Sequence, residues 1–347
     1  LLFAGAIHVD ISLLRQRAWT VGAMASLGVV ISTALIGTLI WGVSQFLPNS
    51  IPFAWALVFG ALISPTDPVA VLAVLRQARV AKSLEMDMAG ESLFNDAAGV
   101  VLFTVLLSAA MTSSGDSGID FGEIARLFFV EGLGGALLGL VTGYLAYLAI
   151  RSIDDYPTEI LILLALVTCT YTFAQLHGLS GPIAVVVAGV LIGNRGRRLA
   201  MDDESERHIY AFWKVIDEIL NSILFLLIGL EVIVIQFDLT LLPLAIAAVP
   251  IVLIARFFAV ALPMAAVQFK QRFVKGTVQI LTWGGVRGGV SVALALSIPY
   301  VEPRSQILAA TYAVVLFSLV VQSLTLPAVV RRFAHPTKRQ EPDPEDV

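Results

Sequence analysis

Long apolar runs recur along this chain, and each is about as long as a helix must be to cross the hydrocarbon core of a bilayer. Of the 347 residues, 58% are hydrophobic and only 14% are charged. A water-facing surface needs far more charge than this, so the composition excludes a soluble domain. The sequence therefore predicts an all-α polytopic membrane protein.

The apolar runs predict ten whole spans and one partial span. They lie at 1–9 (partial), 18–46, 53–76, 85–110, 122–150, 157–177, 180–194, 209–235, 240–268, 276–298 and 305–331. The run at 180–194 is short, which allows a tilted or partly re-entrant segment. Since the chain opens inside an apolar run, without Met or a cleavage site, we expect further helices upstream. We expect a transmembrane domain at 1–335 and a polar, proline-rich cytoplasmic tail at 336–347.

The basic residues support this division into spans. Most of the 22 Lys and Arg residues fall in alternate loops and in the C-terminal tail, and the intervening loops contribute only Arg304. Loops rich in Lys and Arg stay in the cytoplasm. We therefore expect a multi-pass protein of the plasma membrane with a cytoplasmic C-terminus.

Two of the predicted spans carry residues that interrupt a helix. Pro65 and Pro68 interrupt the span at 53–76, because each lacks an amide donor and so leaves a backbone carbonyl without its helical partner. Lipid does not tolerate such free carbonyls unless the gap lines a polar cavity. Four glycines at 284–289 surround Arg287 in the other span. Since the triplets of spans that contain these breaks have opposite orientation, the pattern predicts an inverted-repeat transporter fold whose broken helices cross near the midplane. The alternative is that the prolines are ordinary kinks and the glycines pack helices closely.

Polar residues at 91–96 share one side of the next span. At helical spacing Glu91 and Asn95 form one stripe, while Ser92 and Asp96 form the neighbouring stripe and can face Asp67 across a cavity. Ionisable groups at this depth are costly, so a functional use is expected. Carboxylate, hydroxyl and carbonyl oxygens bind hard cations, and two neighbouring carboxylates also favour a proton. The alternative is a buried polar cluster that only packs helices.

The motifs resemble the paired signature of the NhaP/NHE-type sodium/proton antiporters. They are Ser64-Pro65-Thr66-Asp67-Pro68 followed by Glu91-Ser92-Leu93-Phe94-Asn95-Asp96, with the family's spacing between the two aspartates. Residues 284–288 and 254–256 resemble the family's two later arginine-bearing spans, and 221–230 resembles its tenth span. The resemblance covers essentially the whole chain, from the family's third span onward.

The resemblance implies a secondary active transporter that exchanges sodium, with lithium as a second candidate, for protons by alternating access. It assigns Asp96 as the main carrier, and Asp67, Ser92 and the backbone carbonyl of Thr66 as further sodium ligands. Site-orienting roles fall to four residues: Glu91, Asn95, Arg256 and Arg287. Arg256 is the first candidate to pair with Glu91 and Arg287 is the second, although the arginines could instead compensate the dipole ends of the broken helices.

The resemblance also bears on stoichiometry and partners. Electrogenic relatives carry a second aspartate at the position of Asn95, which implies electroneutral 1:1 exchange here. Expected partners are monovalent cations, protons and the lipid bilayer, with a homodimer for the full-length protein, no nucleic acid and no cofactor beyond the transported ions. The main rival is a potassium/proton antiporter of the same fold. A channel, a non-transporting homologue and a membrane-embedded hydrolase with Asp67 and Asp96 as its dyad are weaker alternatives.

Two further groups of charges lie within the predicted spans. Lys214, Asp217 and Glu218 are spaced for local ion pairs on one helix face. Glu131 lies well inside its span, and the sequence suggests no role for it.

Overall fold

The computed structural model describes residues 1–9, 11–48, 50–78, 80, 82–112, 121–153, 155–196, 202–234, 240–269, 273 and 276–333. Across these ranges the structure is almost entirely helical and has no β-strand, which confirms the predicted all-α class. The predicted tail at 336–347 lies outside the described residues. The helices are α1 (Leu2–Ile7), α2 (Ile11–Ala23), α3 (Val29–Ser44), α4 (Phe53–Ile63), α5 (Val69–Gln77), α6 (Lys82–Thr112), α7 (Phe121–Arg151), α8 (Tyr156–Leu176), α9 (Gly181–Leu191), α10 (Asp203–Val234), α11 (Leu242–Val267), α12 (Thr277–Trp283), α13 (Gly289–Ser297), α14 (Arg304–Phe317) and α15 (Ser323–Phe333).

Single π-helical turns join several of these helices into longer segments. Met24–Gly28 connects α2 to α3, Ser318–Gln322 connects α14 to α15, and Ile192–Gly196 extends α9. Six helical segments among the described residues are long and apolar enough to cross a membrane by themselves. These six segments are Trp19–Ser44, Leu84–Met111, Arg126–Arg151, Tyr156–Leu176, Leu242–Val267 and Arg304–Phe333.

The two interrupted spans are broken where the sequence predicts. α4 ends at Ile63 and α5 begins at Val69, so residues 64–68 are not helical. α12 ends at Trp283 and α13 begins at Gly289, which leaves 284–288 outside the helices. The second gap includes Gly285, where an added Cβ would lie 2.4 Å from Nε of Arg256. The glycine therefore makes room for a buried guanidinium.

The helices group into two bundles. A core bundle holds α2–α6 and α11–α15, which are the two predicted triplets of spans. A panel holds α1 and α7–α10. Within the core bundle, large apolar residues of α3, α4, α11 and α14 form one continuous buried cluster, including Ile36, Phe59 and Val315. Since α6 packs against α2 and α4 on one side and against α1, α7 and α9 on the other, it lies at the boundary of the two bundles.

A glycine seam brings α7 close to α9 in the panel. A Cβ built on Gly139 would lie 2.2 Å from the carbonyl oxygen of Ala184, and one on Gly135 would lie 2.5 Å from that of Ser180. Gly143 follows at the same spacing and lies against Ala188. Small residues four apart let helix backbones pack directly, which is a main source of helix association in lipid.

Candidate functional site

The two helix breaks contact each other. The backbone amide of Asp67 in the first break donates a hydrogen bond to the carbonyl of Val286 in the second, at 2.8 Å. The Asp67 carboxylate lies against Gly288, because an ideal Cβ there would be 2.6 Å from Oδ2. Gly288 immediately precedes α13. The carboxylate is therefore placed at a helix N-terminus, where the helix dipole favours negative charge.

Arg287 takes up the carbonyls that the first break frees. Its Nη1 donates to the carbonyl oxygens of Ser64, at 2.5 Å, and Pro65, at 2.9 Å. These carbonyls lie at the C-terminal end of α4, which is the negative end of its dipole. The sequence leaves two roles open for Arg287, which are pairing with Glu91 and compensation of a helix dipole end. The observed contacts match the second role.

Arg256 is the partner of Glu91. Its Nη1 and Nη2 donate to the two carboxylate oxygens at 2.5 and 2.8 Å, and the side chains are only 5% and 1% exposed. The same guanidinium donates to the carbonyl of Leu281 on α12. A bidentate pair fixes both groups in direction as well as distance. This contact therefore joins α6, α11 and α12 beside the second break.

Asn95 links the ion pair to the first break. Its Nδ2 lies 3.3 Å from the carbonyl oxygen of Ser64, 3.3 Å from Oε1 of Glu91 and 3.5 Å from Oγ1 of Thr66. A carbonyl and a carboxylate can only accept, so the NH₂ group of Asn95 has to point toward them. The amide orientation follows from chemistry, and Asn95 bridges α6 to the unwound segment.

Four oxygen-bearing side chains meet beside this framework. The hydroxyls of Thr66 and Ser92 lie 3.2 Å apart and are buried. The Asp96 carboxylate accepts a hydrogen bond from the backbone of Thr66 and is repelled by the nearby Asp67 carboxylate. Both aspartates are partly exposed, whereas the two hydroxyls are enclosed. Carboxylates and hydroxyls at one point suit a hard cation, and the mutual repulsion of the carboxylates favours either a cation or a proton there.

An ion pair that the sequence alone does not predict lies beside the site. Arg17 on α2 forms a partly buried ion pair with Asp87 on α6, with Nε to Oδ1 at 2.7 Å and a second contact from Nη2 to Oδ2. Asp87, Glu91 and Asn95 are spaced four residues apart, so they form one stripe of α6. The sequence signal for this pair was Asp87 itself, an acidic residue one helical turn before Glu91. Its partner Arg17 is seventy positions away in sequence. Along this stripe α6 is joined to α2, α11 and α4.

The remaining charges in the spans are placed as follows. Lys214 and Glu218 form the predicted local ion pair at 3.9 Å, but Asp217 accepts a hydrogen bond from Asn221 instead. The backbone carbonyl of Glu131 accepts a hydrogen bond from the amide of Ser180, which adds to the contact between α7 and α9. The structure assigns no function to the Glu131 side chain.

Comparisons with known proteins agree with this architecture. The model of a family described as sodium/hydrogen exchanger, transmembrane, matches residues 1–332. The chain is 44% identical over 339 residues to the Na(+)/H(+) antiporter NhaP of Pseudomonas aeruginosa, covering 96% of this chain and 78% of that protein. It is 38% identical over 317 residues to the Na(+)/H(+) antiporter NhaH of Halobacillus dabanensis, covering 90% of this chain and 76% of that protein.

A solved structure shares the fold. The sodium proton antiporter MjNhaP1 from Methanocaldococcus jannaschii superposes with a TM-score of 0.76 at 21% identity, covering 96% of this chain and 83% of that chain. Together with the two broken helices, this likeness confirms the predicted inverted-repeat transporter fold. The relatives are transporters, so the hydrolase alternative is not supported.

Proposed function

Because the chain belongs to the sodium/hydrogen exchanger family, we propose that it exchanges sodium for protons across the membrane by alternating access. The observation that carries the proposal is the pair of partly exposed aspartates at the contact of the two helix breaks. Glu91 pairs with Arg256, and Arg287 donates to backbone carbonyls. The two aspartate carboxylates meet beside the hydroxyls of Thr66 and Ser92, so we assign them to the transported ions.

In this mechanism Asp96 alternates between a sodium ion and a proton. Asp67, the Ser92 hydroxyl and the backbone carbonyl of Thr66 complete the coordination of sodium, with lithium as a second substrate. Two adjacent carboxylates repel each other when both are charged, so either ion relieves the repulsion and the two ions compete. Glu91, Asn95, Arg256 and Arg287 act as positioning residues, because their contacts hold the two breaks and α6 in register.

The boundary between the bundles supports movement of the site from one side to the other. Leu93 and Ala97, which flank Asp96 in sequence on α6, pack against Ala6 of α1 and Val186 and Val190 of α9. These contacts are between aliphatic side chains, so sliding along them breaks no hydrogen bond. A shear of the core bundle against the panel would carry Asp96 with it.

We also propose 1:1 electroneutral exchange, a cytoplasmic C-terminus and a homodimer in the bacterial inner membrane. The stoichiometry is supported by Asn95, which cannot ionise and whose NH₂ group lies within 3.5 Å of three acceptors. The orientation is supported by the uneven placement of Lys and Arg in alternate loops. Potassium remains the rival substrate, because oxygen ligands alone do not select between alkali ions.

The test is sodium-driven proton movement in proteoliposomes that contain the full-length protein. Wild type should exchange sodium for protons, whereas Asp96→Asn should show no exchange while it elutes as a folded protein. Asp202→Asn is the matched control, because Asp202 lies outside the helices and is exposed. Sodium exchange by Asp96→Asn would refute the assignment, and proton movement with potassium but not sodium would refute the substrate.

A further inference from the structure

One stripe of α10 runs from the end of α1 toward the candidate site. Tyr210, Asp217 and Leu224 are seven residues apart, which places them on the same helix face. At one end, the Tyr210 hydroxyl donates to the carbonyl oxygen of Ile7 at 3.0 Å. At the other end, Leu224 packs on α13, because a Cβ built on Gly289 would lie 2.7 Å from its Cβ. Gly289 directly follows the glycine that contacts Asp67, so the stripe ends beside the site.

Asp217 and Asn221 lie on this stripe between the two contacts. Asp217 is partly exposed and accepts a hydrogen bond from Nδ2 of Asn221 at 3.3 Å. From the helical rise, Asp217 lies about 10 Å and Asn221 about 5 Å before Leu224 along the axis. His8, which follows the last residue of α1, is one titratable side chain that acts on the carboxylate electrostatically. A carboxylate kept at this position in a membrane span is expected to have a use.

The neighbouring residue points elsewhere. The Glu218 side chain is 68% exposed and pairs with Lys214 on the outer side of the helix. Two consecutive carboxylates therefore differ in direction, one toward the boundary between the bundles and one away from it. Glu218 is the natural control for the charge of Asp217.

We propose that Asp217 and Asn221 form an access site for hydrated monovalent cations on the route to Asp67 and Asp96. This inference rests on the proposed sodium/proton exchange. A partly exposed carboxylate holds a hydrated cation loosely and raises its local concentration without removing its water. Tyr210 lies toward the end of α10 that carries Arg207 and His208, which is the cytoplasmic end in the proposed orientation. The access site therefore serves cations that enter from the cytoplasm.

Such a site acts on capture and not on the exchange step itself. Asp217→Asn should raise the KM for sodium about twofold at low ionic strength, as expected for one charge at roughly 10 Å with water between. Its kcat should stay that of the wild type. Asp217→Lys changes the charge twice as much, so its KM ratio should be the square of the Asp217→Asn ratio. The ratio should be equal for sodium and lithium and should shrink toward one in high salt, because attraction depends on charge and is screened.

The measurement uses the full-length protein in proteoliposomes with cation supplied at the side that bears the basic loops. Asp217→Glu should restore the wild-type KM, and Glu218→Gln should leave it unchanged. The inference would be overturned if Asp217→Asn left the KM unchanged, or if Glu218→Gln raised the KM by the same factor. It would also be overturned if Asp217→Asn lowered kcat and Asp217→Glu did not have the wild-type kcat.

The proposed function and the access site fail differently. If wild-type protein moves no sodium, the proposed function fails and the access site fails with it. If wild type exchanges sodium and Asp96→Asn does not, while Asp217→Asn keeps the wild-type KM at low ionic strength, only the access site is refuted.

Discussion

The buried pair of Glu91 and Arg256 gives a sharp prediction about stability. Glu91→Ala leaves the Arg256 guanidinium, 5% exposed, without its two carboxylate contacts. Removing one partner of a buried ion pair costs about 3–5 kcal/mol, because the remaining charge stays desolvated and unpaired. For a 347-residue chain, the usual unfolding entropy per residue converts this cost to a melting temperature about 4–7 °C lower.

The comparison variants separate this pair from the ion site. Asp96→Asn removes a carboxylate that is repelled by Asp67, so it should leave the melting temperature unchanged or raise it. The double variant Glu91→Gln/Arg256→Met removes both charges, so it should melt above Glu91→Ala even though it carries one more substitution.

The assay is thermal denaturation of detergent-solubilised full-length protein, followed by the fraction that stays monodisperse on size-exclusion chromatography. A thiol-reactive dye is unsuitable, because Cys169 is exposed in the folded protein. Equal melting temperatures for Glu91→Ala and Asp96→Asn would refute the role of the pair. A double variant that melts no higher than Glu91→Ala would show that the unpaired charge of Arg256 is not the source of the loss.

Three further predictions concern the site, the panel and the stoichiometry. Gly288→Ala should raise the KM for sodium on the order of tenfold, because the new Cβ would lie 2.6 Å from Oδ2 of Asp67 and displace it, whereas Gly42→Ala, with no atom within 4 Å, should transport normally. Gly139→Val should reduce the yield of folded protein, because its Cβ would lie 2.2 Å from the carbonyl oxygen of Ala184 and push α7 away from α9. Gly132→Val should be tolerated, because its Cβ would lie 3.5 Å from Cδ1 of Ile183; equal yields of the two variants would contradict the glycine seam. An imposed potential of about 100 mV, worth about 2.3 kcal/mol per net charge moved, should not shift the equilibrium sodium gradient in proteoliposomes; a shift would exclude 1:1 exchange.

Much of this architecture follows from the sequence alone. Apolar runs of about twenty residues have to form spans because lipid offers no partner for backbone groups, so the spans and the all-α class can be predicted. Pro65 and Pro68 remove amide donors wherever they stand, so the first break is also a local property. The stripe of Glu91 and Asn95 follows from helical periodicity, and their hydrogen bond at 3.3 Å agrees with it.

Only the tertiary structure decides which distant groups meet. Local sequence does not determine whether Glu91 pairs with Arg256 or Arg287, since both are buried arginines on later spans; the choice follows from how α11 and α12 pack on α6. The pair of Arg17 and Asp87 was missed for the same reason. Asp217 and Glu218 are neighbours in the chain, and only the packing of α10 places Asp217 near His8 at the end of α1 while Glu218 stays on the exposed face. Periodicity and backbone chemistry act over a few residues, whereas charge pairing in a membrane protein is set by contacts between spans.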